Sequence, residues 1–295
     1  MPSIYVDQLG ILPQRADFDL YPTQRALIRS AVPHVFEPIF GWRFRFPPED
    51  RVFRILDVGA GDGRWGEEAK NYFCRIYSHV ELTGVEIRDV SKPYSYDHWY
   101  SNTDALEWKA PQTKFNLSIA NPPFNISERL LRKCHAISHQ VCFLLPRDFG
   151  GGGNRFLNLH REMPPYQECP SARRPSFTGD NGTGGTVYSM WHWVAGQGTP
   201  NEWLTRQFNW ETSPEDIIPV ALEIRHLKQK AKRDAKRLGI PYTKLMLKYF
   251  ELEVLSPPRF SNPEEQTDFI SRLAGYIAYI GEAKEDVQEQ RSPEA

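Results

Sequence analysis

Ile55-Leu56-Asp57-Val58-Gly59-Ala60-Gly61-Asp62-Gly63 is the stretch that decides how the chain is read. Phe53 to Val58 forms a short apolar run with an acidic residue near its end. Glycines follow at alternate positions, and a helical pattern begins near Arg64, giving a strand, a turn and a helix. Glycines allow a tight turn and close approach of the backbone to a ligand, while a helix start offers unpaired N–H groups. An ordinary tight loop between strand and helix would use the same residues. Glu86 weighs against that reading. It ends the next apolar run, Val80 to Glu86, where a carboxylate can accept the two hydroxyls of a ribose.

Dinucleotide-binding folds space their glycines to admit a pyrophosphate. Here Asp57 is an acidic lead to Gly59, Gly61 and Gly63 at alternate positions, with Ala60 between the first two, and Asp62 would repel phosphate. The segment resembles the class I S-adenosylmethionine (SAM)-dependent methyltransferases, whose cofactor carries a cationic sulfonium. That resemblance implies SAM as cofactor and an α/β, Rossmann-like sheet of seven mostly parallel strands with an antiparallel last strand.

A second segment narrows the chemistry. Phe115 to Ala120 reads as the fourth strand, and Asn121-Pro122-Pro123-Phe124 follows at its carboxyl end, where open α/β sheets place their ligands. The box resembles that of the amino-methylating branch of the family. An adenine N6 amine donates its lone pair into the ring and is a poor nucleophile until acceptors hold its hydrogens. The Asn121 side-chain oxygen and the Pro122 carbonyl can supply them, with Pro122 and Pro123 stiffening the turn. Phe124 would stack on a base turned out of a helix. A proline-rich strand exit with Phe124 in the core is the plainer reading of the box alone.

Around these segments the resemblance implies further contacts. Tyr21-Pro22-Thr23 precedes a helical run from Gln24 to Ala31 and resembles the motif that covers the methionine end of SAM; Thr23 also reads as a simple helix cap. This motif before the glycine turn and the box after it give the order of the gamma-type DNA amino-methyltransferases. Asp104, at the end of a presumed third strand, would accept the cofactor's adenine amine, or else cap the next turn. Ile87 would pack on the adenine face.

Composition sets bounds. The chain has 295 residues, 40% hydrophobic, with a formal net charge of −1, long enough for one sizeable core and an appendage. No net basic excess announces nucleic acid, so any such site must be local. No apolar stretch approaches membrane-spanning length and no basic-then-apolar leader opens the chain, so no membrane partner and a cytoplasmic location are expected. Cys74, Cys134, Cys142 and Cys169 show no paired spacing and read as reduced thiols. Cys134, His135, His139 and Cys142 have tempting zinc spacing, but a helix and a strand rarely converge on four ligands, and no metal is expected.

Beyond the box, Ile126 to Ile137 reads as a helix and Val141 to Leu145 as a fifth strand buried on both faces. Arg147 leads into Gly150-Gly151-Gly152-Gly153, either a loose surface loop or a mobile loop at the substrate mouth. Arg173-Arg174-Pro175-Ser176-Phe177, a glycine-rich turn and Val187 to Val194 read as a closing hairpin, and resemble small phage and mobile-element DNA adenine methyltransferases. Arg147, Arg173 and Arg174 would then contact phosphate, with the turn near Thr183 reaching a groove.

Four segments follow: a lead-in over 1–50, a methyltransferase domain over 51–210, an extension over 211–255, and a linker, short helix and acidic tail over 256–295. Ile218, Val220, Leu222 and Ile224 alternate as a strand, followed by two helices around Gly239-Ile240-Pro241. This resembles a ribbon-helix-helix module, which implies a homodimer; a helix-turn-helix is the other form. Arg225 to Lys248 is rich in basic residues, with Lys228 and Lys232 the expected DNA contacts. A solvated basic helix pair is the plain alternative. The resemblance as a whole implies an adenine N6-methyltransferase acting on double-stranded DNA. RNA adenine or guanine, protein glutamine, and a non-catalytic SAM-binding DNA regulator are the other readings.

Overall fold

The computed structural model describes residues 23–40, 52–177, 185–200, 202–213 and 219–249. Tyr21, Pro22, Thr183 and the segment over 256–295 lie outside the described residues.

Residues 23–213 contain one eight-stranded sheet in the order β3-β2-β1-β4-β5-β7-β6-β8. Its strands are β1 (Val52–Val58), β2 (His79–Val85), β3 (His98–Tyr100), β4 (Leu117–Ala120), β5 (Gln140–Pro146), β6 (Gln167–Pro170), β7 (Tyr188–Val194) and β8 (Leu204–Thr205). β1 to β5 run parallel, and β7 enters antiparallel between β5 and β6. This is the α/β, Rossmann-like fold expected from sequence. It carries one strand more than the seven anticipated, because the two-residue β8 pairs with β6 at the edge.

The central strands read as continuous apolar runs because both faces are covered. On β5, Cys142 and Leu144 enter one core while Val141, Phe143 and Leu145 enter the other. The first face is covered by α1 (Arg25–Phe40) and α2 (Arg64–Phe73), through Leu27, Ile28, Ala31, Val35, Ala69 and Phe73. The opposite face is covered by α3 (Ser127–Ile137), through Leu130, Leu131 and Cys134. Cys134 and Cys142 therefore belong to cores on opposite sides of the sheet. Among the described residues, no three His, Cys, Asp or Glu side chains come together as metal ligands would.

Ion pairs fix α1 to α2. Arg25 reaches Glu67 at 2.6 Å and Glu68 at 2.8 Å, and Arg29 reaches Glu68 at 2.9 Å. Burial pushes the Glu68 carboxyl up, but Arg29 and Arg25 more than offset this and hold it below its ordinary range. The other end of α1 is tied to the far edge of the sheet. Gln167 Nε2 donates to Val35 O at 2.9 Å, and Arg206 Nη2 donates to His34 O at 3.0 Å.

After β5 a short 3₁₀ turn, Arg147–Gly150, leads to α4 (Gly153–Asn158), so the glycine run carries a helical turn at each side. Leu159, His160 and Phe149 then re-enter the core beside Trp191.

The C-terminal unit consists, among the described residues, of α5 (Pro219–Leu238) and α6 (Tyr242–Tyr249). The strand expected over 218–224 is overturned from Pro219 on, because those residues open α5. Val220 and Ile224 share a helical period with Leu227 and Ala231, so four alternating residues fitted two periods and the longer pattern decided. Leu227, Ala231, Leu245 and Met246 are buried. Tyr249 Oη donates to Asp234 Oδ2 at 2.6 Å, and the Lys230 ammonium lies 4.6 Å from the Tyr249 ring centroid. No helix among the described residues is long and apolar enough to cross a membrane.

Candidate functional site

The strand register assembles the site. Asp57 on β1 pairs with Gly84 on β2 and Ile119 on β4. Two residues beyond each stand Gly59, Glu86 and Asn121, all at the carboxyl edge of the sheet. The chain leaves β1 to form β2 on one side and returns to form β4 on the other, so this edge is the topological switch point, where open α/β sheets bind ligands.

Asp57 is buried, and its Oδ2 accepts from Gly66 N at 2.8 Å and Tyr96 Oη at 2.5 Å. Burial pushes its carboxyl up to about 7, against the pull of those two bonds. The turn itself hangs on β2, since Gly59 N and Ala60 N both donate to Val85 O, at 2.9 and 3.1 Å. Gly59 has φ +65° and a Cβ there would meet nothing within 4 Å. At Gly63, with φ +83°, a Cβ would lie 2.9 Å from Pro93 Cγ and from Tyr96 Cε2. Gly59 thus borders open space, while Gly63 is required by packing.

Glu86 is buried opposite the turn. Its Oε2 accepts from Gly61 N at 2.7 Å, and its Oε1 accepts from Arg88 Nε at 2.8 Å and from Arg88 N at 3.1 Å. Each carboxylate oxygen accepts about two hydrogen bonds, so Glu86 can pin the turn and still take a hydroxyl. Its neighbour Ile87 is 40% exposed. Glu86 O accepts from Thr103 N at 2.9 Å, which brings Asp104 alongside. Asp104 is exposed, and its Oδ1 caps the following turn by accepting from Leu106 N at 2.8 Å.

On the other side of the crevice, Asn121 Nδ2 donates to Thr23 Oγ1 at 3.2 Å, and Trp65 Nε1 donates to the same oxygen at 2.9 Å. Thr23 thereby joins the start of α1, the helix after the glycine turn, and the box. Pro122 is buried and Phe124 is 43% exposed. The Phe124 ring lies 5.9 Å from Tyr188, which lies 5.1 Å from Phe177. Three aromatic rings are therefore in series from the box inward, with Tyr188 and Phe177 packed against the core.

Two residues here were not singled out in the sequence. Gln24 is buried, and its Oε1 accepts from Ser176 N at 2.7 Å, holding the Arg173 to Phe177 segment against α1. Its Nε2 has no hydrogen-bond partner among the described residues. Tyr188 read only as a strand residue. No local pattern marks either one, because both act through contacts distant in sequence.

Arg173 and Arg174 are exposed. Arg147 is largely exposed, with Nε 3.5 Å from Glu168 Oε1, so a carboxylate competes for it. In the C-terminal unit Lys232 is exposed and Lys228 half-buried; Arg233, Lys236, Arg237, Lys244 and Lys248 are also exposed.

No family model matches the chain, and no curated protein does. Among solved structures, it is similar to a putative class I SAM-dependent methyltransferase from Listeria monocytogenes, at 11% identity and TM-score 0.49, over 75% of this chain and 76% of that one. It is also similar to a type I restriction-modification methyltransferase subunit from Streptococcus thermophilus, at 13% identity and TM-score 0.46, over 77% of this chain and 56% of that one. A third is the 23S rRNA methyltransferase ErmE, at 11% identity and TM-score 0.35, over 76% and 91% of the two chains. These values are too low to bear on activity, and the Rossmann-like assignment stands on the strand order and register of this chain.

Proposed function

We propose that the chain is a SAM-dependent methyltransferase acting on the N6 amine of adenine in double-stranded DNA. The observation that carries the reading is the placement of Asn121 at the same sheet edge as Gly59 and Glu86. A nitrogen acceptor and a nucleoside-binding cradle then face one crevice.

The residues present fit SAM. Open space at Gly59 leaves room for a ligand beside the turn. Glu86 Oε2 keeps room for one ribose hydroxyl, and half-exposed Ile87 suits an adenine face. Asp62 is paired with Arg64 at 2.6 Å and burial holds the Asp57 carboxyl at about 7, so the turn carries little net charge of either sign. Bound there, SAM supplies an electrophilic methyl group.

The chain's own groups do the remaining work. Asn121 Oδ1 and Pro122 O accept the two hydrogens of the amine, concentrating its lone pair towards the methyl. Phe124 provides a face for the base, which must leave the duplex to reach this depth. Arg173, Arg174 and the exposed basic residues of α5 and α6 suit a phosphate backbone. The basic residues of each unit favour nucleic acid over a protein acceptor.

The test is transfer of label from tritiated SAM to unmethylated duplex DNA, total RNA and mixed protein in parallel, with Asn121→Ala as the blank. Label on DNA recovered as N6-methyladenine supports the proposal. Label only on RNA or protein keeps the box and moves the substrate. SAM binding without transfer to any acceptor supports the non-catalytic regulator instead.

A further inference from the structure

We propose that Thr23 is a positioning residue for the transfer step: its hydroxyl anchors the Asn121 amide nitrogen so that the amide oxygen is presented to the acceptor amine. This rests on the methyltransferase reading above. It gives Thr23 a task separate from the cofactor contact implied by resemblance.

Hydrogen-bond capacity fixes the arrangement. A hydroxyl has two acceptor lone pairs, and an indole N–H can only donate. Trp65 Nε1 takes one lone pair of Thr23 Oγ1 at 2.9 Å, and Asn121 Nδ2 takes the other at 3.2 Å. A carboxamide is planar with donor and acceptor on opposite branches. Anchoring the nitrogen therefore sets the direction of the oxygen.

The anchor is itself held. Thr23 is only 2% exposed, and a β-branched side chain is stiff at χ1. It stands two residues before Arg25, which pairs with Glu67 and Glu68 on α2, the helix that carries Trp65. Gln24, between them, fixes Ser176 from the other side. Thr23 is thus set by α1 and α2 together, whereas Asn121 stands half-exposed at the crevice. The bond between them runs from a rigid core to the reacting end of the site.

Thr23→Val keeps the shape and removes both acceptor sites. Thr23→Ser keeps the hydroxyl. The side-chain amide resonance of Asn121 in ¹⁵N-labelled protein, identified by its disappearance in Asn121→Asp, reports the contact without turnover. Single-turnover transfer and calorimetric SAM affinity report the consequence. In Thr23→Val we expect the Asn121 amide resonance to move and its hydrogen exchange to speed by about 10-fold. At saturating SAM the transfer rate should fall by roughly 10- to 100-fold, the scale of a small misplacement of a reacting group. Thr23→Ser should restore both.

Should Thr23→Val melt below the assay temperature, Thr23→Cys, a weak acceptor of similar size, takes its place. An unmoved Asn121 resonance would overturn the proposal, and so would a moved resonance with an undiminished rate. A loss of rate that tracks lost SAM affinity would reduce Thr23 to a cofactor contact. If wild type methylates no acceptor, it is the proposed function that fails, and the amide resonance alone decides whether Thr23 anchors Asn121.

Discussion

Two glycines of the same turn should respond in opposite ways to one added methyl group. Gly59 and Gly63 both have positive φ, +65° and +83°, so alanine at either pays the left-handed penalty of about 1–2 kcal/mol. Their surroundings differ. A Cβ on Gly59 meets nothing within 4 Å, so Gly59→Ala should cost only that backbone term, a fall in Tm of roughly 2–8 °C. On Gly63 the Cβ lies 2.9 Å from Pro93 Cγ and Tyr96 Cε2, and ring and proline must shift, adding about 1–3 kcal/mol of overpacking. Cofactor binding should invert the ranking. If SAM fills the space over Gly59, the methyl there strikes the ligand, and about 1–3 kcal/mol of clash weakens binding by roughly 5- to 150-fold. Gly63→Ala, measured below its lowered melting point, should bind SAM within a few-fold of wild type. Differential scanning fluorimetry gives the first ranking and isothermal calorimetry with SAM the second. Wild-type affinity in a folded Gly59→Ala protein would refute the placement of the cofactor over this turn.

Other consequences can be checked as directly. Asn121→Ala should abolish transfer and leave SAM affinity within a few-fold, since its acceptor serves the amine; calorimetry beside the label assay separates the two. Asp57, raised from 3.8 to about 7 by burial, should make the ligand-free protein less stable as pH rises. The unfolded chain ionises this group near pH 4 and the folded chain resists until about 7. The stability is therefore fully present below pH 4 and lost across that window, by up to about 4 kcal/mol at about 1.4 kcal/mol per pH unit. Denaturant midpoints at pH 5 and pH 8, with Asp57→Asn flattening the difference, test the sign. If α5 lies on phosphate, Lys232→Ala and Lys236→Ala should weaken DNA binding about equally for all sequences. Each should also reduce the salt-dependence slope by about 1 in a titration series.

What could be read from the sequence divides along contact range. The strand, glycine turn and helix from Val52 to Phe73 were legible because each signal lies within a few residues of the next. The Asn121 box was legible because its neighbours on both sides carry period and chain direction. Glu86 was placed by its position at a strand end, but its bond to Gly61 needed the register of β1 on β2. Thr23 read as a cap or a cofactor contact, while its bond to Asn121 spans 98 residues and leaves no local trace. The same holds for Gln24 and Ser176, 152 residues apart. At the C-terminal end the error was of period, since four alternating residues suited a strand until α5 extended the helical pattern through Ala231. Asp104 shows a third case: the capping reading and the binding reading use the same carboxylate, and the cap is what the backbone around Leu106 displays.

The docking of α1 has a consequence for synthesis on the ribosome. This helix is made before its partners at the sheet edge, Gln167 and Arg206, which lie 132 residues or more further along the chain. At about 5–20 residues per second, those partners arrive on the order of 10–30 seconds later. Until then α1 can meet α2 and the first strands but cannot be fastened at its far end. Leu27, Ile28, Val32, Val35 and Phe36, all buried in the finished fold, make up the surface it must shield meanwhile. The nascent chain is therefore most open to chaperone capture or mispairing between completion of β1 and emergence of β6, and slow codons in that interval would lengthen the exposure.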